Sequence, residues 1–198
     1  MTKAMKKSAQ SIRRNQDGLT LIELIISISI SALIFILLTQ VYILAQNTYA
    51  ETDAKAEITQ NGRVILDRMV REIRQSPYID NQLPSGAVEP IPSQIIFQDG
   101  HDTSRISYIR YYLEGDKIYR RVIAYSFPSQ RDYYVHSYDI DKNEPHNPPD
   151  SFILDTRIVG EYVSDIEFYG DPLININLYL MRNNQTATIS TAVYGRNF

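Results

Sequence analysis

The sequence predicts an α+β protein: one long N-terminal α-helix and a C-terminal region of antiparallel β-strands. Three uneven distributions predict it. None of the nine prolines precedes Pro77, and Gly62 is the only glycine between Gly18 and Gly86, so a helix over Leu19–Ser76 meets a single breaker. Twelve of the 15 tyrosines lie from Tyr108 onward, and tyrosine favours strands. The net charge of −3 conceals a third: Lys3, Lys6, Lys7, Arg13 and Arg14 against Asp17 give residues 1–18 a charge of +4 and leave −7 on the rest.

The 198 residues, 43% of them hydrophobic, suffice for one packed domain with an appendage. The absence of cysteine excludes disulfide frameworks, thiolate metal sites and cysteine nucleophiles. A near-neutral average gives no footprint of a nucleic-acid binder. The basic tip followed by an apolar run has the form of a membrane signal, its positive end cytoplasmic and the rest outside.

The helix has two halves. Leu19–Leu44 carries Glu23 as its only charge, and its 26 residues cover roughly 39 Å, enough for a hydrocarbon core of about 30 Å. Ser27, Ser29 and Ser31 are tolerable because a hydroxyl bonds its own helix backbone or a neighbouring helix. Over Tyr49–Ser76, Ile58, Gly62, Ile65, Met69 and Ile73, with Leu66 and Val70 beside them, form one apolar stripe. Glu51 with Lys55 and Asp67 with Arg71 are i,i+4 pairs. The stripe needs a cover, and the C-terminal region supplies it. Pro77 ends the helix, since the residue before proline avoids the α region.

From Pro77 the period becomes two. Ser104–Glu114 and Lys117–Tyr125 read as a hairpin about Gly115-Asp116. Ser151–Val159, Glu161–Tyr169, Leu173–Arg182 and Thr186–Tyr194 read as further strands, and Gln94–Gln98 as a weaker one. Ile174, Ile176, Leu178 and Leu180 alternate with Asn175, Asn177, Tyr179 and Met181, the pattern of a half-covered antiparallel strand. Asn183-Asn184-Gln185 turns it into the last strand. Pro77–Ser93 and Phe127–Asp150 carry four prolines each and read as loops, the second long for a compact domain. The division is therefore 1–18, 19–76 with a membrane segment 19–44, and a β-rich region 77–198.

The junction Asp17-Gly18-Leu19-Thr20-Leu21-Ile22-Glu23-Leu24 holds a basic leader, a glycine, an apolar residue and a glutamate four positions on. Glycine lets a peptidase approach the backbone closely. Thr20-Leu21-Ile22-Glu23 also matches a capping box, and the two readings are compatible. A charge inside a membrane helix costs about 2.5–3.5 kcal/mol at its centre and less near its end, so Glu23 needs a partner.

The combination resembles the prepilin signal of type IV pilins and of type II secretion pseudopilins. The resemblance implies a cut between Gly18 and Leu19 by a prepilin peptidase, N-methylation of Leu19, and a register-setting role for Glu23 against the new amine of a neighbouring subunit. It implies the pilin-like form of the α+β fold and, as partners, other pilin or pseudopilin subunits, an inner-membrane assembly platform and, before assembly, membrane lipid. It implies no enzyme activity, cofactor, small-molecule substrate or metal. The chain would sit in the cytoplasmic membrane as a single-pass protein, its C-terminal part outside, before entering a filament. The absence of proline in the membrane half and of a cysteine pair departs from major pilins. Size, β-rich C-terminal region and the ending Tyr194-Gly195-Arg196-Asn197-Phe198 resemble equally the J-type minor pseudopilins and the W-type minor pilins, placed near a filament tip.

Asp139-Ile140-Asp141-Lys142-Asn143, with Asp150 at the twelfth place, opens like a calcium loop, but Glu144 replaces the usual glycine and a solvated acidic loop explains it. His101, His136 and His146 lack metal-ligand spacing. Arg110, Tyr111, Tyr112, Arg120 and Arg121 could suggest a nucleic-acid surface, as in a competence-type DNA-uptake pseudopilin; a half-exposed strand explains them as well. A membrane-anchored extracytoplasmic binding domain or enzyme unrelated to pili is the rival of another class, with Thr48-Tyr49-Ala50 mimicking a small-residue cleavage site.

Overall fold

Helix α1 runs from Leu21 to Gln75, 55 residues, and eight strands follow: β1 (Gln94–Gln98), β2 (Tyr108–Glu114), β3 (Lys117–Phe127), β4 (Gln130–Val135), β5 (Asp150–Gly160), β6 (Val163–Tyr169), β7 (Leu173–Arg182) and β8 (Gln185–Tyr194). The computed structural model describes residues 18, 20–88, 90–101, 105–141 and 147–195. The basic leader over 1–17, Leu19 and the terminal Arg196-Asn197-Phe198 lie outside the described residues. The protein has the α+β architecture expected, a long apolar N-terminal helix with antiparallel sheets of the pilin-like kind.

The chain divides into two compact units, Met1–Thr48 and Tyr49–Phe198. In the first, the apolar side chains from Leu21 to Leu44 are exposed all round. Among the described residues, α1 is the one helix long and apolar enough to cross a membrane. An all-round apolar helix needs an apolar surrounding.

In the second unit the strands form two sheets. β1, β2 and β3 are consecutive antiparallel neighbours, and β3 pairs with both β4 and β5; β6, β7 and β8 form a three-stranded meander. The β2–β3 hairpin closes at Gly115-Asp116, with Glu114 opposite Lys117. β4 lies inside the stretch expected to be a loop. Its sequence QRDYYV has no apolar alternation and is largely exposed, so only its pairing to β3 identifies it. The β7–β8 turn is tighter than expected: Asn183 and Asn184, both at positive φ, suffice, and Arg182 pairs with Gln185.

Both sheets lay their inner faces on the second half of α1. Ile58, Ile65, Leu66, Met69 and Ile73 from the helix meet Ile95, Phe97, Ile109, Tyr111 and Ile118 of one sheet and Ile166, Phe168, Ile174, Ile176, Leu178 and Leu180 of the other. Each such aliphatic or aromatic side chain contributes about 1.5–3 kcal/mol on burial. The predicted stripe is thus buried as a unit, with Gly62 in it. A Cβ at Gly62 would lie 2.7 Å from Ile189 Cδ1 and 2.8 Å from Leu180 Cδ1, so the missing side chain sets how closely β7 and β8 approach the helix. Of the helix ion pairs expected, neither Glu51–Lys55 nor Asp67–Arg71 closes; Arg68 pairs with Glu72 at 3.4 Å.

The proline-rich segment after α1 guards sheet edges. Ile79 bridges Phe97, Asp80 N–H donates to the Ile96 carbonyl (2.8 Å) and Gln98 N–H to the Tyr78 carbonyl (2.9 Å), which covers the free edge of β1. Farther along, Phe168 N–H reaches the Pro92 carbonyl at 3.1 Å, covering part of β6.

Candidate functional site

Helix α1 begins with a closed capping box. The Thr20 backbone N–H and Oγ1 donate to Glu23 Oε2 at 2.9 and 2.8 Å, and Glu23 N–H donates back to Thr20 Oγ1 at 3.4 Å. Leu24 N–H reaches the Thr20 carbonyl at 3.2 Å, the first turn of the helix. The tetrapeptide folds this way because threonine and glutamate three residues apart can each satisfy an orphan donor of the other. Glu23 also places negative charge at the positive end of the helix dipole. Gly18, just ahead, is exposed. Deeper in the apolar half, Ser27 Oγ donates to the Glu23 carbonyl (2.7 Å), Ser29 Oγ to that of Ile25 (2.8 Å) and Thr39 Oγ1 to that of Phe35 (2.9 Å). The serines at 27 and 29 take the first of their two expected options.

A capped helix start, an exposed glycine before it and an apolar helix after it form one constellation, and the comparison of sequences fits it. Residues 13–39 match the family model described as the prokaryotic N-terminal methylation motif. This is the prepilin-type signal of pilins and pseudopilins. No curated protein matches the chain significantly. The prepilin-type motif and the long apolar helix together fit a pilin or pseudopilin, and a membrane-anchored single-pass protein. The motif implies processing by a prepilin peptidase and assembly with other pilin subunits, and suggests a structural rather than catalytic protein.

In the second unit the structure reveals a buried cluster that the sequence reading missed. Glu72 is 8% exposed. Its carboxylate accepts from Arg120 Nε at 2.9 and 3.1 Å, from the Tyr111 hydroxyl at 2.9 Å and from Arg68 Nε at 3.4 Å. Tyr111 and Arg120 are cross-strand partners on β2 and β3, so helix and sheet are joined by charge-assisted bonds inside the core. Burial first, then the Glu72 carboxylate, pushes the Tyr111 hydroxyl well above the usual tyrosine range. At Arg120 burial works to lower the value, but the bond to Glu72 and its charge outweigh it and raise it. The available signal was positional: Glu72 stands three residues after Met69, on the stripe itself, beside Ile73.

The same cluster divides the basic–aromatic run of β2 and β3. Tyr111 and Arg120 turn inward to Glu72, whereas Arg110, Tyr112 and Arg121 stay on the outer face, where both guanidinium carbons lie over the Tyr112 ring at 4.9 and 4.8 Å. His101 Nδ1 lies 2.8 Å from Asp99 Oδ1. The His136 ring stacks on Tyr138 at 5.0 Å, its backbone N–H bonded to Asp139 Oδ2 at 2.8 Å. Asp141 is buried and accepts from Ser129 Oγ at 3.1 Å, and Asp150 opens β5. The middle of the acidic loop, with Lys142, Asn143 and Glu144, and also His146, lies outside the described residues. Among the described residues no group of three or more histidine or carboxylate side chains is placed to hold a metal.

Proposed function

We propose that the chain is a minor pilin or pseudopilin: a structural subunit of a type IV pilus or type II secretion pseudopilus, made as a precursor, cut between Gly18 and Leu19, and methylated on Leu19. The observation that carries the reading is the match of residues 13–39 to the N-terminal methylation motif directly on the apolar start of α1. The cut removes the +4 leader and leaves the apolar helix, first as an anchor in lipid and then, drawn onto an assembly platform, as the packing element among the helices of neighbouring subunits. Glu23 sets register there by pairing with the amine of a neighbour's Leu19. The lack of proline in the apolar half and of cysteine throughout supports a minor subunit, placed near a filament tip. The division into a leader 1–18, a helix 19–76 and a β-rich region 77–198 belongs to this reading.

Mass spectrometry of the mature N-terminus tests it. The expected first residue is N-methyl-leucine at position 19. A mature start at Glu51, or an intact Met1 in cells that hold the peptidase, overturns it.

A further inference from the structure

The two sheets turn their inner faces to α1 and their outer faces away from it, and the outer faces carry opposite charge. On the five-stranded sheet, Arg110 stands directly opposite Arg121 and Tyr112 opposite Tyr119. The two tyrosine rings stack at 5.5 Å. Like charges directly opposite on neighbouring strands are destabilising, yet among the described residues both arginines have only neutral acceptors: Gln94 Oε1 for Arg110 (3.0 Å to Nε), and Thr156 Oγ1 (3.3 Å) with the Tyr112 hydroxyl for Arg121. The ion pairs of the described residues include neither guanidinium.

On the three-stranded sheet the mirror situation holds. Asp165 and Glu167 face outward on β6, opposite Tyr179 and Asn177 of β7. Asn177 Nδ2 and the Tyr179 hydroxyl donate to Glu167 Oε2 at 2.9 and 3.0 Å, and Asp165 Oδ1 accepts the Ile166 N–H at 2.8 Å. Both donors to Glu167 are neutral, and neither acid enters an ion pair among the described residues. Arg182 is the only basic residue between Glu161 and Gly195, and it is committed to Glu57 of α1 and to the Tyr162 ring. Among the described residues, one chain therefore carries two half-exposed guanidiniums without anions and two carboxylates without cations, each pair among tyrosines. Tyrosine gives contact area at low conformational cost.

We propose that these two outer faces are the halves of a contact between copies of this chain, Arg110 and Arg121 of one copy meeting Asp165 and Glu167 of another. The contact uses residues of the second unit alone and does not depend on the N-terminal motif. Joining two different patches makes it head-to-tail, or two-fold when each copy presents both patches at once.

The chain has no cysteine, so site-directed cross-linking of the full chain in detergent reads the contact. One population carries Ile158→Cys, beside Tyr119 on the arginine face, and a second carries Thr188→Cys, opposite Tyr179 on the acidic face. Mixed with a short bismaleimide, they should give an unlike dimer that weakens in high salt. Arg110→Glu with Arg121→Glu in both populations should lower its yield about tenfold. Adding Asp165→Arg and Glu167→Arg should restore it, because the charges are then exchanged. Arg121→Gln alone should give a smaller loss and carries the test if the double reversal unfolds. A yield that ignores these substitutions overturns the proposal, as does a loss that the fourfold exchange leaves in place. Retention of a single-stranded oligonucleotide that Arg110→Glu and Arg121→Glu abolish, with cross-linking unchanged, would assign the arginine face to nucleic acid instead.

Discussion

Arg120 Nε lies 2.9 Å from Glu72 Oε2 with both side chains withdrawn from water, and this pair ties α1 to β3 through the interior of the second unit. The carboxylate also serves Tyr111 and Arg68, so its removal strands several donors at once. Glu72→Ala should cost about 3–5 kcal/mol, the scale for breaking one side of a buried ion pair. Replacing the pair together, Glu72→Met with Arg120→Met, should cost clearly less, since no charge is then left in the core. Urea unfolding of the detergent-solubilised chain, followed by near-ultraviolet circular dichroism of the tyrosines, makes the comparison; equal losses in the two variants would refute the clamp.

Burial raises the hydroxyl pKa of Tyr108, Tyr111 and Tyr125. A group whose folded value exceeds its unfolded value leaves stability intact below the unfolded pKa, here about 10, and withdraws it as pH rises toward the folded value. Unfolding free energy should therefore be unaffected by tyrosine ionisation below about pH 9 and fall above about pH 10. Tyr111→Phe should make that alkaline fall shallower. Tyrosinate absorbance and urea midpoints, measured across the range, give the result; a variant whose alkaline slope equals the parent's would contradict it.

Gly160 ends β5 against the helix, and a Cβ there would overlap Ile65 Cδ1 and Cγ1. Gly160→Ala should cost about 1–3 kcal/mol by overpacking. In an Ile65→Ala background both clashing atoms are gone, so the added cost of Gly160→Ala should nearly vanish. A double-mutant cycle measures this coupling, and additive losses would show that the strain lies elsewhere.

Glu23 serves the capping box and, under the proposed function, the register of assembly. The two roles part at Glu23→Gln, whose amide oxygen can still accept from Thr20 but carries no charge. Cleavage and methylation should proceed in this variant and in Glu23→Ala, while incorporation into sheared filaments should fall in both. Normal incorporation of Glu23→Gln would assign the residue to capping alone.

Features set by local chemistry were legible in the sequence. The apolar stripe from Ile58 to Ile73, the alternation along β7, the Gly115-Asp116 hairpin and the Thr20–Glu23 box each depend on residues within a few positions of one another. Features set by distant pairing were not. β4 has no alternation because both of its faces are largely wet, and it is a strand only through β3. The separation into two sheets follows from which strand β5 and β6 choose as neighbours, and nothing local encodes that. Glu72 was hidden by its own charge: on a stripe of isoleucines, a carboxylate reads as a surface residue until Tyr111 and Arg120 are seen to meet it. The run of arginines and tyrosines likewise looks uniform in sequence, but strand parity sends Tyr111 and Arg120 one way and Arg110, Tyr112 and Arg121 the other.

Ser27, Ser29 and Thr39 direct their hydroxyls to carbonyls of their own helix. Their donors are therefore already satisfied before any surrounding is chosen. A cylinder of this kind makes no hydrogen-bond demand on its solvent through these groups, whether that solvent is acyl chains or the apolar sides of other helices. Passage from one to the other changes which atoms touch and leaves these polar bonds untouched, so for these residues the transfer is a matter of shape rather than of polarity.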